Sequence, residues 1–283
     1  MKTSFRISFL LWTGFLLLFI AGCSPYKKVA KDYVESPPGH TFLILKPDFL
    51  YKDNLKEYQI GNKDSLTEAE MDSILFFSSI YLKEIEDRVF IDTLVENVEK
   101  NLERFGFNIY AEDQMEEFMA LQKPAYVVNI AQIVLEEYVY PYEAEAVIYD
   151  EVVSVKDIDL NALNINIWFE LNPVNTENEA ARVLFASDQI YDDMEGRFIG
   201  GLFGSDLKFE YTVDSLKMDE VYYAGAALGR KYAMYFNDYF LNRYILKNLP
   251  SGYNLEEYYH YNPTSGKIYP IDEEYRFIEM DLQ

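Results

Sequence analysis

Residues 163–171 read Leu-Asn-Ile-Asn-Ile-Trp-Phe-Glu-Leu, and this stretch decides the fold that the rest of the chain has to accommodate. Apolar side chains alternate along it with Asn, Trp and Glu, so every second side chain falls on one face of an extended backbone. The pattern predicts a β-strand with one face in a hydrophobic core. Neighbouring segments must therefore supply the helices or strands that cover that face.

Two longer segments have the spacing of helices that could provide this cover. From Ile85 to Phe105, apolar residues recur every three or four positions opposite charged ones, and Gly106 ends the pattern. A second predicted helix runs from about Leu216 to Lys247 and is closed by Pro250. Its small residues between positions 224 and 229 would permit a close approach to the sheet.

The remaining elements are shorter and alternate in type along the chain. Residues 48–64 are expected to form a loop, a capping-box spacing at 65–68 opens a short helix, and a small helix is predicted at 113–121. We predict an α/β (α+β) fold: one two-layer domain over residues 41–250, a mixed sheet with helices packed mainly on one face. The further strands are expected at 41–46, 107–110, 125–139, 146–155, 183–191 and 208–213.

Composition supports a folded domain and argues against nucleic acid as a partner. Of 283 residues, 49% are hydrophobic and 17% aromatic, which is enough to bury a sizeable core. There are 48 acidic and 25 basic side chains, a formal charge of −23. Because binding to a phosphate backbone depends on Lys and Arg, DNA and RNA are poor candidates.

The single cysteine lies in a segment with the layout of a secretion signal. Lys2 and Arg6 precede an apolar run over 7–20, and Ala21-Gly22-Cys23 follows it. The run is shorter than the roughly 20 residues that a membrane-spanning helix needs. One cysteine also excludes an intrachain disulfide and a Cys-rich metal site.

Ile20-Ala-Gly-Cys23 resembles the lipobox of bacterial lipoproteins. The resemblance implies a signal peptide over 1–22, cleavage before Cys23, and acylation of the Cys23 sulfur and amino group. Several acyl chains hold a protein stably on a membrane, whereas one does so only marginally. Cleavage removes two positive charges, so the mature chain carries −23 − 2 = −25.

The residues after the cysteine bear on location. Ser24, in place of Asp, is the pattern that lipoproteins of this kind use for transfer to the outer membrane. Surface-export signals of Bacteroidota lipoproteins carry acids just after the cysteine, whereas this chain has Lys27, Lys28 and Lys31. We therefore expect the periplasmic face. Residues 23–40 are predicted to be a lipidated tether. Its lysines either are solvated or lie on anionic lipid headgroups. Its last seventeen residues could reach roughly 55 Å when extended.

At the level of element order, residues 41–250 resemble a periplasmic lipoprotein domain. It is shared by auxiliary subunits of lipid-transport ABC systems, the curli-secretion lipoprotein and the N-terminal part of the TolB translocation protein. The resemblance rests on the order and lengths of the elements, and it implies an α/β domain that works within an envelope complex.

Side chains for catalysis or metal binding are scarce. His40 and His260 are the only imidazoles, and neither has a His or Cys at ligand spacing, so we expect both to lie at the surface, His40 in the tether. Acidic groups near Asp192 and the pair Glu136-Glu137 lack the Gly-containing spacing of a calcium loop. We predict no catalytic residue, no metal and no cofactor.

Two segments are candidates for contact with a partner. The glycine cluster at 196–204 either is a plain turn or exposes apolar side chains at a flexible tip. The segment 251–283 is rich in tyrosine, which either docks on its own domain or contacts a partner. The candidate contact residues are Phe198, Ile199, Leu202 and Phe203 in the first, and Tyr258, Tyr259 and Tyr261 in the second.

Two functions follow as hypotheses. The first is a membrane-anchored, non-enzymatic subunit of an envelope assembly or transport complex, whose acidic surface meets an envelope protein with a basic surface. The alternative is a lipoprotein that binds or processes glycans with its acids and tyrosines. The absence of a catalytic constellation in the sequence favours the first.

Overall fold

The computed structural model describes residues 25–56, 66–176, 179–200 and 207–280. The predicted signal peptide, Cys23 and the loop residues Leu202 and Phe203 lie outside these ranges. Within them the fold is α+β, as predicted. The helices are α1 (Pro25–Glu35), α2 (Glu68–Ser78), α3 (Asp87–Arg104), α4 (Met115–Met119) and α5 (Met218–Asn248), with 3-10 turns at Glu112–Gln114 and Glu273–Tyr275.

The strands form one mixed sheet and two hairpins. The bounds are β1 (Thr41–Leu45), β2 (Tyr51–Asn54), β3 (Asn108–Tyr110), β4 (Ala125–Ile148), β5 (Glu151–Val174), β6 (Arg182–Tyr191), β7 (Asp193–Ile199), β8 (Lys208–Asp214), β9 (Tyr258–Asn262), β10 (Lys267–Ile271) and β11 (Ile278–Met280). In the sheet the order is β11-β6-β5-β4-β1-β3, and β2 also pairs with β4. β1 is parallel to β3 and β4, and β2 is parallel to β4, whereas the pairs β4–β5, β5–β6 and β6–β11 are antiparallel.

The alternating stretch 163–171 lies in β5 and behaves as its pattern predicts. The apolar side chains of Leu163, Ile165, Ile167, Phe169 and Leu171 are all buried in the main core. Helices α3 and α5 cover this face, and their own apolar stripes join the same core. A smaller cluster around Leu43, Phe118 and Ala125 includes a residue of α4.

Helix α5 comes very close to α3, which the small residues between 224 and 229 make possible. A Cβ at Gly229 would lie 2.3 Å from the Leu94 carbonyl oxygen and 2.7 Å from Asn97 Cβ. The small residues were expected to let the helix approach the sheet. They serve instead the contact between two helices on the same side of it.

The tether predicted over residues 24–40 is wrong for most of its length. Pro25 opens helix α1, where its missing N–H costs nothing, and Ala30 and Tyr33 are buried. The Tyr26 hydroxyl donates a hydrogen bond to the Asn254 carbonyl, 2.9 Å away. The folded domain therefore starts two residues after Cys23.

Three strand and helix boundaries also differ from expectation. Residues 51–54 form β2 rather than loop, and the capping box of α2 joins Thr67 and Glu70 rather than residues 65 and 68. The strand expected to end near Pro141 continues to Ile148. The separate strand expected over 146–155 is instead the tip of a hairpin: the end of β4, the turn at Tyr149 and Asp150, and the start of β5. Pro141 was read as a strand end, but proline is tolerated in a strand with a free edge.

The C-terminal segment packs on the domain. Of the two alternatives for its tyrosines, docking on the protein's own domain is therefore the one that the structure shows. β9 and β10 form a hairpin, and β11 adds a strand to the sheet beside β6. Tyr259 and Phe277 are buried in the main core. Residues 251–280 thus belong to the same folded unit as the helices.

We expect Gly229→Ala to lower the free energy of unfolding by about 3 kcal/mol, because the new methyl group would collide with the backbone of α3. Urea unfolding measures the change. Gly225→Ala is the matched control on the same helix: there a Cβ would meet only the Phe90 ring, at 3.3 Å, and a ring can shift. Equal losses from the two variants would contradict the close backbone approach.

Candidate interaction surface

Strands β4 and β5 run well beyond their neighbours in the sheet. β2 pairs with β4 only up to Glu137, and β6 pairs with β5 only up to Ala162. Past this level, within the described part of the chain, β4 and β5 pair as strands only with each other, over residues 139–148 and 151–161. We call these residues the ribbon. At about 3.3 Å per residue it extends roughly 33 Å beyond the sheet.

The two faces of the ribbon differ in exposure. On one face Ala144, Ala146, Ile158 and Leu160 are all under 10% exposed, although Tyr142 and Lys156 on the same face are exposed. The opposite face begins with acidic side chains near the sheet and changes to valines toward the tip. Its successive cross-strand pairs are Pro141–Asp159, Glu143–Asp157, Glu145–Val155 and Val147–Val152, all of them exposed.

The exposed face breaks two rules of strand pairing. Glu143 and Asp157 lie directly opposite each other, and like charges in that position destabilise a sheet. The turn at the tip is formed by Tyr149 and Asp150, which have φ of 52° and 64°. Such two-residue turns favour Asn-Gly, because positive φ strains other residues. Tyr149 is also 95% exposed.

A buried ion pair fixes the base of the ribbon. Lys56 Nζ lies 2.8 Å from Glu137 Oε1 and 2.8 Å from Asn161 Oδ1. The Glu137 carboxylate is fully buried and also accepts hydrogen bonds from the backbone N–H groups of Ile80 and Tyr81. β4, β5 and the loop between α2 and α3 therefore converge on one ion pair, that of Lys56 and Glu137.

Asp192 extends this network to the start of β7. Its carboxylate accepts hydrogen bonds from the Tyr81 hydroxyl at 2.5 Å, from the Leu216 N–H at 3.0 Å and from the Asn161 N–H at 3.0 Å. Burial acts to raise the pKa of Asp192, but these hydrogen bonds outweigh it and hold the pKa below its ordinary value. The base of the ribbon is thereby joined to the residues that precede α5.

Glu136 and Glu137, considered as an acidic pair, point to opposite faces of β4. Glu137 is in the buried network, whereas Glu136 Oε2 accepts hydrogen bonds from Asn164 and Asn166 on β5, at 2.8 and 2.9 Å. Adjacent residues of a strand alternate in direction, so the two carboxylates cannot act on one ligand. Among the described residues, no group of three or more His, Cys, Asp and Glu could hold a metal ion.

The glycine cluster is more structured than a plain turn. Residues 193–199 form β7, which pairs with β8, and the missing side chain of Gly196 leaves room for the Phe209 ring. Phe198 is half-buried, with its ring centroid 4.7 Å from that of Phe209, so it is not the freely exposed contact that the second alternative requires. Ile199 is exposed, as that alternative requires.

The tyrosines proposed as partner contacts instead hold the C-terminal segment on the domain. Tyr259 is 5% exposed, and its backbone exchanges hydrogen bonds with the Asn242 side chain. The Tyr261 N–H donates to Asp238 at 3.1 Å, and the half-buried Tyr258 ring packs under Arg276. Their sequence pattern could not distinguish docking from exposure.

Both histidines are packed within the fold rather than at the surface. His40 lies against Phe240, with ring centroids 4.2 Å apart; burial, and then the positive charge of Arg243, lowers the His40 pKa to about 4. His260 Nδ1 lies 2.6 Å from the buried carboxylate of Asp238. None of the contacts of the described residues places a Ser or Cys nucleophile beside either imidazole.

The ribbon was missed at the sequence level, although a signal for it was present. Residues 147–155 read Val-Ile-Tyr-Asp-Glu-Val-Val-Ser-Val, two β-branched runs around a two-residue centre. That is the layout of a hairpin, but Tyr-Asp is a rare centre for one. Because the strand was expected to end near Pro141, its continuation as β4 to Ile148 was not recognised.

Comparison with known proteins gives little further direction. No family model and no curated protein matches the chain. A crystal structure of a neuraminyllactose-binding hemagglutinin homolog from Helicobacter pylori is similar over 74% of this chain and 88% of that chain. The identity is 14% and the TM-score 0.30. No helix among the described residues is long and apolar enough to cross a membrane.

We expect Asp192→Asn to lower the free energy of unfolding by about 1–2 kcal/mol at pH 7, because hydrogen bonds to a charged acceptor become bonds to a neutral one. The folded-state pKa of Asp192 is depressed, so its contribution is complete above the unfolded pKa and is lost as the pH falls through the folded value. Urea unfolding of both proteins between pH 7 and pH 3 should show the difference shrinking below about pH 4. Asp193→Asn, at an exposed neighbour, is the control, and a difference independent of pH would contradict the assignment.

Proposed function

We propose that this protein is a lipid-anchored, non-enzymatic interaction subunit of the cell envelope, which holds a partner protein on the exposed face of the ribbon. The observation that carries the proposal is that face itself. It combines opposed carboxylates near the base with exposed valines near the tip, on a two-stranded extension that the fold of the domain does not require. Features that lower the stability of a fold, and that contribute nothing evident to its structure, tend to be functional.

The charge of the ribbon defines the kind of partner. Lys156 is its single basic residue against five acids, which are Glu143, Glu145, Glu151, Asp157 and Asp159, and the turn at the tip adds Asp150. A second copy of this chain would bring the same acids and be repelled, and nucleic acid would be repelled more strongly. A protein that presents basic side chains beside an apolar patch complements both parts of the face.

The position of the ribbon relative to the proposed anchor supports this role. The residues before α5 contact Asp192 at the ribbon base, whereas α1 packs near the other end of α5, where Tyr33 and Tyr244 lie 5.4 Å apart. Helix α5 has 31 residues and so spans roughly 46 Å. An acylated Cys23, two residues before α1, would hold one end of the domain at the membrane while the ribbon points away from it.

Glu143→Lys separates the contribution of the face to binding from its contribution to stability. We expect the variant to be more stable by about 0.5 kcal/mol, because the introduced ammonium group would oppose the Asp157 carboxylate with unlike charge. We also expect it to lose the partner, because it reverses the charge of the face. Affinity purification from detergent-solubilised membranes with quantitative mass spectrometry measures the second effect, and urea unfolding the first.

The matched control is Glu96→Lys, which makes the same change at an exposed position of α3. Proteins that co-purify with the wild type and the control but not with Glu143→Lys would support the proposal. Identical sets from all three would overturn it. Retention of envelope polysaccharide by the wild type, with no protein partner, would favour the glycan-binding alternative instead.

The anchor has its own test. In a bacterial host supplied with radiolabelled palmitate, we expect the wild type to be labelled and to sediment with the outer membrane. Cys23→Ser should be unlabelled and fail to sediment, because the acyl chains supply the attachment. Label that persists in the Ser variant would refute acylation at Cys23.

A further inference from the structure

A cleft on the far side of the domain from the ribbon has the features of a ligand site. It lies between α1, the C-terminal end of α3, the middle of α5 and the β9 segment, and its volume is about 570 Å³. This is within the usual range of pockets for small molecules. Apolar and aromatic side chains form most of its wall, among them Tyr33, Phe105 and Met234.

The charge of the cleft is opposite to that of the protein. Arg104 and Arg230 line it, and no Asp or Glu does so among the described residues. Arg104 donates to the Asn101 side chain at 3.1 Å, and the Arg230 guanidinium lies 5.7 Å from the Tyr223 ring centroid. Neither has a carboxylate partner in the described part of the chain, although acids outnumber basic residues 48 to 25.

A buried donor completes the polar side of the cleft. Asn237, on α5, is 4% exposed and lines the cleft, and its Nδ2 has no acceptor at hydrogen-bond geometry among the described residues. Burial raises the pKa of the adjacent Asp238 carboxylate, and His260, the Tyr261 N–H and the Asn237 amide oppose that rise, so the amide reaches Asp238 only outside ordinary hydrogen-bond geometry. A buried donor that is poorly satisfied is unfavourable, so a ligand that supplies a well-placed acceptor stabilises it. Two cations and an amide donor on one apolar cleft are suited to a ligand with an anionic head.

A second cleft of similar size shows the contrast. It lies beside the C-terminal end of α5 and contains Arg243, but there the guanidinium is in an ion pair with Glu179, which also accepts a hydrogen bond from Tyr126. Its positive charge is compensated within the protein. The cleft of Arg104 and Arg230 has no such compensation in the described structure.

We propose that this cleft binds an anionic amphiphile. A carboxylate or phosphate head would lie against Arg104, Arg230 and the Asn237 amide, and an apolar body would lie against the wall formed by Phe105 and Met234. The apolar wall favours this class over an acidic sugar, whose hydroxyl groups would find few partners there. The inference is independent of the ribbon and of the proposed partner protein.

The test uses the mature chain from residue 23 with Cys23→Ser, so that no detergent is needed. The probes are dodecyl phosphate and, as a neutral counterpart, dodecyl maltoside, both below their critical micelle concentrations and followed by calorimetry. We expect saturable binding of one dodecyl phosphate per protein and at least about tenfold weaker binding of the maltoside, since charge-assisted hydrogen bonds supply the difference.

Arg104→Gln combined with Arg230→Gln should weaken dodecyl phosphate binding by at least about tenfold and leave the maltoside unchanged. Arg88→Gln, at an exposed position on the same helix as Arg104, is the control and should stay within about twofold. Asn237→Asp places a carboxylate in the cleft and should also abolish binding; thermal melts identify any variant that fails to fold. No saturable binding, equal binding of the two probes, or wild-type affinity in the double variant would each overturn the proposal.

Two further probes identify the kind of molecule that carries the anionic head. Decanoate that binds and is lost in the double variant would assign the site to free fatty acids. Binding to vesicles of phosphatidylethanolamine and phosphatidylglycerol but not to decanoate, again lost in the double variant, would assign it to membrane lipid. Failure of dodecyl phosphate to bind would refute the shared chemistry, whatever the result with these two probes.

Discussion

The buried carboxylate of Glu137 is the interaction on which the rest of the structure depends. It has no contact with solvent and is neutralised by Lys56, which is itself only 4% exposed. It also accepts hydrogen bonds from the backbone between α2 and α3, so it fixes the path into one of the two helices that cover the core. Because an unpaired buried charge is strongly unfavourable, these elements have to assemble together. The point at which β4 leaves the sheet and enters the ribbon is set by the same residue.

Elements whose structure is determined by local forces could be predicted from the sequence. The alternation over 163–171 and the three-to-four spacing of α3 and α5 follow from the burial of one face, and each element is long enough for the pattern to be clear. Elements that depend on tertiary context could not be predicted in this way. α1 has 11 residues, and its buried Ala30 and Tyr33 are too few to reveal a stripe beside three nearby prolines. β4 continues through Pro141 because it has a free edge there, a fact about neighbours that lie far away in the chain.

The same distinction applies to the candidate site. Glu136 and Glu137 are adjacent in sequence and opposite in space, and Tyr259 looks like a surface aromatic but is part of the core. By contrast, the acidic and valine residues of the ribbon lie on two strands that are joined by the turn at Tyr149. Their common face depends on register, which a shift of one residue would reverse. Arg104 and Arg230 are brought together by the contact of α3 with α5, and no local pattern could have paired them.

The hairpin of β4 and β5 also constrains how the chain can fold. Its contacts begin at the turn of residues 149–150 and extend outward one rung at a time, so they close only short loops. β1 and β2, in contrast, must find β4 across about eighty residues, at a much higher entropic cost. We expect the hairpin to form early and to present the edge of β4 as a template for the parallel strands. The strained Tyr149-Asp150 turn then lies at the first step of the pathway, so the segment that we propose for recognition in the finished protein would also slow its assembly.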